Sequence, residues 1–325
     1  MLGAILILAG AGIAALWSAS AGYALSIGKE SHYFALRQAL FLLPAAAIFV
    51  VCAGADLDAV RRRMGAVTLV GFAVLLLPFL PFLGETRNGA TRWIDLGFTT
   101  FQPSELWKVI SLFYLAHVLD KRAARIAESP GVLIPPFLLI AMGALSVYAQ
   151  NDFSTAVVVG ASAVLLFWAA GSPPSFFLGL GAAAAPLATL SILTSDFRLK
   201  RVLAFLFPAY EPHGQGYQVL GSLRAIRSGG LAGKGIGLGT LKLASIPEVQ
   251  SDFVLAAWAE ETGFIGVLAV MAAWAVLAWR AFGIAYREED RFRSYLGFGL
   301  VSLLSIEVLV NAAVVAGAVP ATGIA

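Results

Sequence analysis

Long apolar runs constrain this chain more than any other feature. At about 1.5 Å of helical rise per residue, about 20 residues cross the roughly 30 Å of hydrocarbon in a bilayer. Runs near that length recur at 2–27, 38–54, 64–83, 105–119, 131–149, 154–170, 175–194, 253–279 and 294–317. In hydrocarbon the backbone must satisfy its own hydrogen bonds, so such runs are expected as helices. The expected fold is an all-α polytopic membrane protein, one integral membrane domain over residues 1–325 with about nine transmembrane helices. Composition agrees: 59% of residues are hydrophobic and 13% charged, against about 25% charged in a soluble domain. The first run lacks a basic leader and exceeds a signal-peptide core, so it reads as a retained first helix. Cys52, the one cysteine, lies in an apolar run and excludes an intrachain disulfide.

Short loops set the orientation. RRRM at 61–64, KRAAR at 121–125 and the stretch from Arg280 to Arg293 together hold ten Lys and Arg, all on one side if the spans alternate. The positive-inside rule makes that side the cytoplasm. Residues 28–37, 84–103 and 196–252 then face outward. The last stretch, too polar and Gly-rich to span, is expected as a large extracytoplasmic loop; its seven Lys and Arg leave the orientation standing, because long loops translocate largely regardless of charge. The net charge of +3 is thus loop charge, and no nucleic-acid partner is expected. His32, His117 and His213 fall on separate segments without metal-ligand spacing, so no zinc site is expected.

Polar chemistry clusters in the outward loops. Arg92, Trp93 and Asp95 precede Gln102-Pro103-Ser104-Glu105, with Lys108 one turn into the next helix. Pro103 and Ser104 suit a helix start, and Glu105 and Lys108 stand at i, i+3, where they can pair. Spacing leaves helix capping and catalysis both open. Farther on, Arg198, Lys200 and Arg201 are followed by Arg224 and Arg227 on a short amphipathic helix, then by Lys234 and Lys242 among glycines. This pattern suits an anionic phosphate, with contact to lipid headgroups as the alternative. GKGIG lacks the spacing of a nucleotide P-loop.

The stretch SDFVLAAWAEETGFIG places Asp252, Glu260 and Glu261 at and within an apolar run. An ionised side chain at the bilayer centre costs about 3 kcal/mol on the most lenient scale, so these carboxylates must be sheltered or employed. Eight helical residues separate Asp252 from Glu260, about 12 Å, too far for both to act on one reacting atom. Glu260 and Glu261 read as structural pairing, and Glu307 and Asn311 as interhelical hydrogen bonding.

The elements RNGATRWIDLG, FQPSELWK, GQGYQVLGSLRAIRSGGLAGKGIG and IPEVQSDFVLAAWAEETGFIG, in this order between these spans, resemble the SEDS family of RodA, FtsW and SpoVE. The resemblance covers residue 87 to the C-terminus by motif and the whole chain by hydropathy. It implies a ten-span peptidoglycan glycosyltransferase that polymerises lipid II at the outer face of the bacterial inner membrane, for cell elongation or division, with a class B penicillin-binding protein as partner. Asp252 of SDFVLA matches the family's proposed catalytic carboxylate, Trp93 its R-W motif, and Glu105 and Lys108 its Q-P-S-E-x-x-K motif. Asp152 falls where the family often has Q-P-D-x-G-T, but this chain reads QNDFST. Asn311, Gly317, Pro320, Thr322 and Gly323 match the closing motif, after which the family continues into a tenth helix that this sequence does not include. GYQVLGSL leans towards FtsW while RWIDLG and SGGLAGKG look as much like RodA, so septal and lateral-wall synthesis both stand.

The implied chemistry is attack of an acceptor sugar hydroxyl on the anomeric carbon of a lipid-linked sugar, expelling a lipid diphosphate. Asp252 is the expected general base, its ionised form favoured by the helix N-terminus and the basic loop. Arg92, Trp93, Glu105, Lys108, Arg198, Arg201, Gln218, Ser222, Arg224, Arg227 and Lys234 are the expected substrate contacts, with Asp152 beside them. The cations among them would stabilise the diphosphate. A divalent cation, Mg or Mn, held by Asp252 or Glu105 is expected, with no organic cofactor. One outward carboxylate predicts single displacement with inversion. The alternatives are a lipid II flippase, which would build its site at the midplane from broken helices, and a structural scaffold in which Asp252 is dispensable.

Overall fold

The computed structural model describes residues 1–87, 89–97, 99–126, 130–207, 215–241 and 251–320. Its helices are α1 (Leu2–Ser26), α2 (Tyr33–Ala53), α3 (Leu57–Arg62), α4 (Met64–Leu76), α5 (Pro103–Ile126), α6 (Ile134–Ala149), α7 (Phe153–Ala169), α8 (Pro174–Leu193), α9 (Asp196–Leu206), α10 (Gln215–Gly229), α11 (Val254–Arg287) and α12 (Arg291–Val315). Among the described residues, six helical segments are long and apolar enough to cross a membrane: α1, α2, Gly131–Ala149 ending in α6, α8, α11 and α12. Met64–Phe79 and Phe153–Ala169 are shorter apolar helices. The expected span at 105–119 lies within the 24-residue α5, whose Glu105, Lys108, Asp120 and Lys121 dilute its hydropathy. The chain is a multi-pass helical membrane protein. None of the residues of α8 is buried, as fits a helix apolar on every side that meets lipid.

The chain forms two compact units. The first comprises Met1–Ala55, Pro186–Arg280 and Val308–Ala325; the second comprises Asp56–Ala185 and Ala281–Glu307. In the first unit α1 packs on α2 and α9 on α10. Its core is built largely of small residues, with Ala19, Ala225, Ala256, Ala257, Val314 and Val315 around Phe253. Small side chains let backbones approach where lipid offers no hydrophobic drive for association.

In the second unit α5 packs against α4, α6 and α7. Fully buried Trp107 lies on Gly143 of α6, where a Cβ would stand 2.2 Å from the indole Nε1. The segment 84–103, read from sequence as a loop without regular structure, instead forms a three-stranded antiparallel sheet: β1 (Gly84–Arg87), β2 (Ala90–Asp95) and β3 (Thr100–Phe101). Glu85 pairs with Trp93 and Ile94 with Phe101. The three basic loops converge at one end of this unit. Arg61 donates to Asp120 and, at 3.2 Å, to Asp290, while Arg293 pairs with Asp58 at 3.1 Å. The Arg293 N–H and the Arg61 and Arg293 guanidinium groups hold the Asp290 carboxyl below the ordinary aspartate range. From Pro103 to Asp120 helix α5 advances about 26 Å, so this cluster and the sheet mark its two ends.

Candidate functional site

Asp252 lies half-buried in the turn that enters α11, next to fully buried Phe253, whose carbonyl accepts from Ala256 and Ala257. The Asn311 amide on α12 reaches the Asp252 carbonyl at 3.5 Å. The closing-motif asparagine therefore steadies the backbone that presents the carboxylate.

Eleven residues into this segment the helix is interrupted. Gly263 has φ 67 and ψ −169, and a Cβ there would meet the Gly233 nitrogen at 2.4 Å and the Leu231 carbonyl oxygen at 2.5 Å. Only glycine takes that conformation without strain at such close approach. The loop after α10 fills the break from both directions. Lys234 and Gly235 N–H groups donate to the carbonyls of Glu260 and Glu261, while Phe264 and Ile265 N–H groups donate to those of Gly230 and Leu231. An interruption leaves four such groups without helical partners, and each would be costly in hydrocarbon.

The two glutamates complete this joint. Glu260 is 0% exposed, and its Oε1 accepts from the Lys234 ammonium at 2.7 Å and the Thr240 N–H at 3.0 Å. Leu241 N–H donates to Oε2 at 3.2 Å. The Ser18 hydroxyl on α1 donates to buried Glu261 at 2.5 Å. Pairing, expected for both residues, is what the geometry shows; the identity of Ser18, 243 residues away in sequence, had no local signal.

Two further clusters stand in the second unit. Asp152, 1% exposed, caps α7 by accepting from the Thr155 N–H, and also accepts from the Gln102 amide at 2.8 Å while pairing with Arg92 at 3.2 Å. The Arg92 guanidinium lies 4.2 Å from the ring centroid of half-buried Trp93. Lys108, 6% exposed, pairs with Glu105 at 2.7 Å, as i, i+3 spacing predicts, and with Glu307 of α12. One cation thus answers two carboxylates, and Glu105 keeps 46% of its side chain exposed. Gln102 and Glu307 complete these clusters; the former was legible only as part of the Q-P-S-E motif.

The remaining expected contacts separate by exposure. Arg224 and Arg227 are exposed on α10, and Gln218 is half-buried there. Arg198 and Arg201 lie on α9, which packs against α10, and Arg198 donates to the Ser191 carbonyl at 3.0 Å. Ser222 is fully buried, with its hydroxyl donating to the Val315 carbonyl at 2.6 Å, and Lys234 is paired with Glu260. In both, the polar atom singled out for substrate is engaged within the protein. Lys242, His213, Thr322 and Gly323 lie outside the described residues. Asp252, the basic helices α9 and α10, and Lys234 belong to the first unit; Arg92, Trp93, Glu105, Lys108 and Asp152 belong to the second.

Residues 1–325 match the family model FTSW_RODA_SPOVE, described as a cell cycle protein. Over 314 residues the chain is 35% identical to a probable peptidoglycan glycosyltransferase FtsW of Geobacter sp. (strain M18), covering 97% of this chain and 86% of that protein. It is 32% identical to the stage V sporulation protein E of Bacillus subtilis (strain 168), covering 96% of this chain and 86% of that one. Among solved structures it is similar to a chain from a study of structural coordination of polymerization and crosslinking by a peptidoglycan synthase complex. That likeness has a TM-score of 0.80 at 26% identity, over 100% of this chain and 89% of the other. The Thermus thermophilus rod shape determining protein RodA matches with a TM-score of 0.66 at 25% identity, over 99% and 87% of the two chains.

Proposed function

The chain belongs to the FtsW/RodA/SpoVE family, and on that premise we propose that it is a peptidoglycan glycosyltransferase polymerising lipid II at the outer face of the bacterial inner membrane. The observation that carries this reading is the 35% identity over 97% of the chain to a protein named for that activity. The placement of Asp252 supports the chemistry. Where Glu260 and Glu261 of the same segment are buried, Asp252 is half-buried and stands at a helix entrance.

In the proposed step Asp252 accepts the proton of an acceptor sugar hydroxyl as the oxygen attacks the anomeric carbon of the lipid-linked donor. The glycosidic bond forms, the bond to the lipid diphosphate breaks, and the configuration inverts. Arg198, Arg201, Arg224 and Arg227 on the packed helices α9 and α10 are the cations assigned to the leaving diphosphate. A divalent cation fits the donors present as a companion of that diphosphate, because Mg binds through one or two carboxylates plus phosphate oxygens. Asp252 can supply one such carboxylate, whereas Glu105 is already paired with Lys108. When bound, the ion would supply charge neutralisation at the diphosphate. A class B penicillin-binding protein is the proposed partner, supplying the crosslinking step.

One observation favours a second reading, a lipid II flippase: α11 is discontinuous at Gly263, as transporter site helices are. Here four backbone groups at the break are bonded to residues 230–235, and Glu260 is paired with Lys234, so these groups are engaged within the protein rather than offered to a substrate.

The test uses purified full-length protein with its penicillin-binding partner, fluorescent lipid II and a divalent cation, comparing wild type with Asp252→Asn. Long glycan strands from the wild type and none from an equally folded variant are expected. Equal product from both removes Asp252 as the base. Absence of product from either, while labelled lipid II crosses protein-containing vesicles, replaces this reading with the flippase.

A further inference from the structure

Two of the arginines assigned to the leaving diphosphate, Arg224 and Arg227, stand exposed on α10. A guanidinium stabilises a developing charge only when it is held where that charge forms, so its effect depends on how its helix is fixed. The other face of α10 shows the fixing. Gly221, Ser222, Ala225 and Gly229 are buried. Arg224 and Arg227 each follow a buried residue, Ser222 or Ala225, by two positions, about 200° around the helix.

Three contacts hold this buried seam, all within the first unit. Helix α12 ends in a turn where the Ala318 N–H donates to the Ala313 carbonyl at 2.8 Å and the Gly317 N–H to the Val314 carbonyl at 3.0 Å. Gly317 is left-handed there, with φ 65. This pattern answers two of the carbonyls that a helix end leaves without partners. The next, that of Val315, is answered from α10: fully buried Ser222 donates to it at 2.6 Å. A Cβ on Gly317 would lie 3.4 Å from Val219 and 3.5 Å from Leu223, so the turn also packs on α10 to either side of Ser222. Ala225 shares one buried cluster with Val314, Val315 and Phe253, the residue that follows Asp252. At the end of α10, a Cβ on Gly229 would stand 2.0 Å from the Ala259 carbonyl oxygen of α11.

Of these three contacts the Ser222 bond is the directional one. Apolar packing is non-directional, whereas a hydrogen bond weakens steeply away from its axis. Its acceptor matters as well, because Asn311, one turn before Val315, reaches the Asp252 carbonyl. One end of α12 therefore holds both the helix that bears the arginines and the turn that bears the carboxylate.

We propose that Ser222 is a positioning residue: its bond to Val315 sets where α10 presents Arg224 and Arg227 to a lipid-linked diphosphate. The inference rests on the polymerase reading for the role of that diphosphate as leaving group. Spacing in the sequence set Ser222 among the substrate contacts, but its hydroxyl is engaged within the protein and acts through its neighbours.

The experiment uses the full-length protein with its penicillin-binding partner and has two readouts: glycan synthesis at saturating lipid II, and affinity for farnesyl diphosphate in nanodiscs without lipid II. Ser222→Ala lowers both about tenfold, within the hundredfold that a misplacement of about 1 Å can cost. Ser222→Cys, similar in size but with a weak S–H donor, acts in the same direction and keeps the test decisive if Ser222→Ala fails to fold. Because the loss runs through the arginines, it shrinks to about threefold in proteins already carrying Arg224→Ala or Arg227→Ala. A hydroxyl that only stabilised the fold would cost the same factor in every background. Unchanged rate and affinity in either folded Ser222 variant, or a tenfold loss that persists in full without the arginines, overturns the proposal. A wild type that makes no glycan yet binds farnesyl diphosphate, with the arginine-dependent loss in Ser222→Ala, removes the polymerase reading and leaves the positioning role standing.

Discussion

Asp252 and Glu260 share one stretch of chain and one charge, yet the protein treats them oppositely. Glu260 is sealed from solvent and saturated by an ammonium and two backbone N–H groups. Asp252 is half-buried at the helix mouth, where its backbone rather than its depth is secured, by Asn311. A carboxylate at membrane depth survives only when its charge is answered. Where donors answer it completely, it holds structure; where it keeps a path to the aqueous side, it can exchange a proton with a substrate. The Glu105, Lys108 and Glu307 cluster is intermediate, since its cation is buried and one of its carboxylates is exposed.

The largest effect expected from this contrast is on activity. Asp252→Asn keeps the shape and removes the proton acceptor, so glycan synthesis falls about 10²- to 10⁴-fold with an unchanged thermal midpoint. Loss of stability in step with activity would make Asp252 another structural carboxylate. Gly263→Ala attacks the joint itself. A Cβ at φ 67, ψ −169, a region essentially confined to glycine, costs about 1–3 kcal/mol in backbone strain, and displacing the backbone bonds of residues 230–235 adds about 1 kcal/mol for each bond lost. The sum is about 4 kcal/mol, read from thermal unfolding in detergent, and an unperturbed midpoint would mean that the break is not held by these contacts. Glu260→Ala strips Lys234, Thr240 and Leu241 of their acceptor and costs about 3 kcal/mol. Its glycan synthesis should fall only as far as the folded fraction does. A stable but inactive Glu260→Ala protein would erase the distinction between the two residues.

That distinction was only half legible in the sequence. The apolar runs gave away the helical, multi-pass class and the six long apolar helices because run length is a local property, and the i, i+3 pairing of Glu105 with Lys108 followed from helix geometry. The sheet at 84–101 was missed because strands of two to six residues are too short for alternation to declare itself. Helices α9 and α10 occupy much of a stretch read chiefly as loop, their basic residues having lowered its hydropathy. Gly263 looked like one more glycine in a membrane helix, where glycine is common; its φ depends on a loop some thirty residues earlier. Partners such as Ser18 for Glu261 and Glu307 for Lys108 lie on distant helices, and no local pattern pairs them. In each case the missing information was tertiary.

The intermediate cluster sharpens the contrast. Lys108→Met leaves Glu105 and Glu307 without their cation, and a loss of about 2 kcal/mol is expected, below the roughly 3–5 kcal/mol of a fully buried pair because Glu105 is well exposed. Adding Glu307→Gln to Lys108→Met should recover part of that loss, since the coupling belongs to the pair. Additive costs in the double variant would show that Lys108 and Glu307 do not sense each other, and would move the cluster from holding to acting.

The smallest effect belongs to the opposite end of α5. Asp290 is held below the ordinary aspartate range by the Arg293 N–H and the guanidinium groups of Arg61 and Arg293. A carboxyl whose folded value is depressed contributes stability that is fully present above its unfolded value, about 4, and is lost as pH falls through the lower folded value. The thermal midpoint should therefore sag as pH drops below about 4, and Asp290→Asn should remove that part of the sag while lowering stability at neutral pH by less than about 1 kcal/mol, as for an exposed pair. Neutral-pH glycan synthesis should be unaffected, because this cluster only gathers the basic loops. An acid profile identical in wild type and variant would show that Asp290 is not held by these donors, whereas a loss of polymerisation at neutral pH would mean that this end of the molecule takes part in more than holding its loops together.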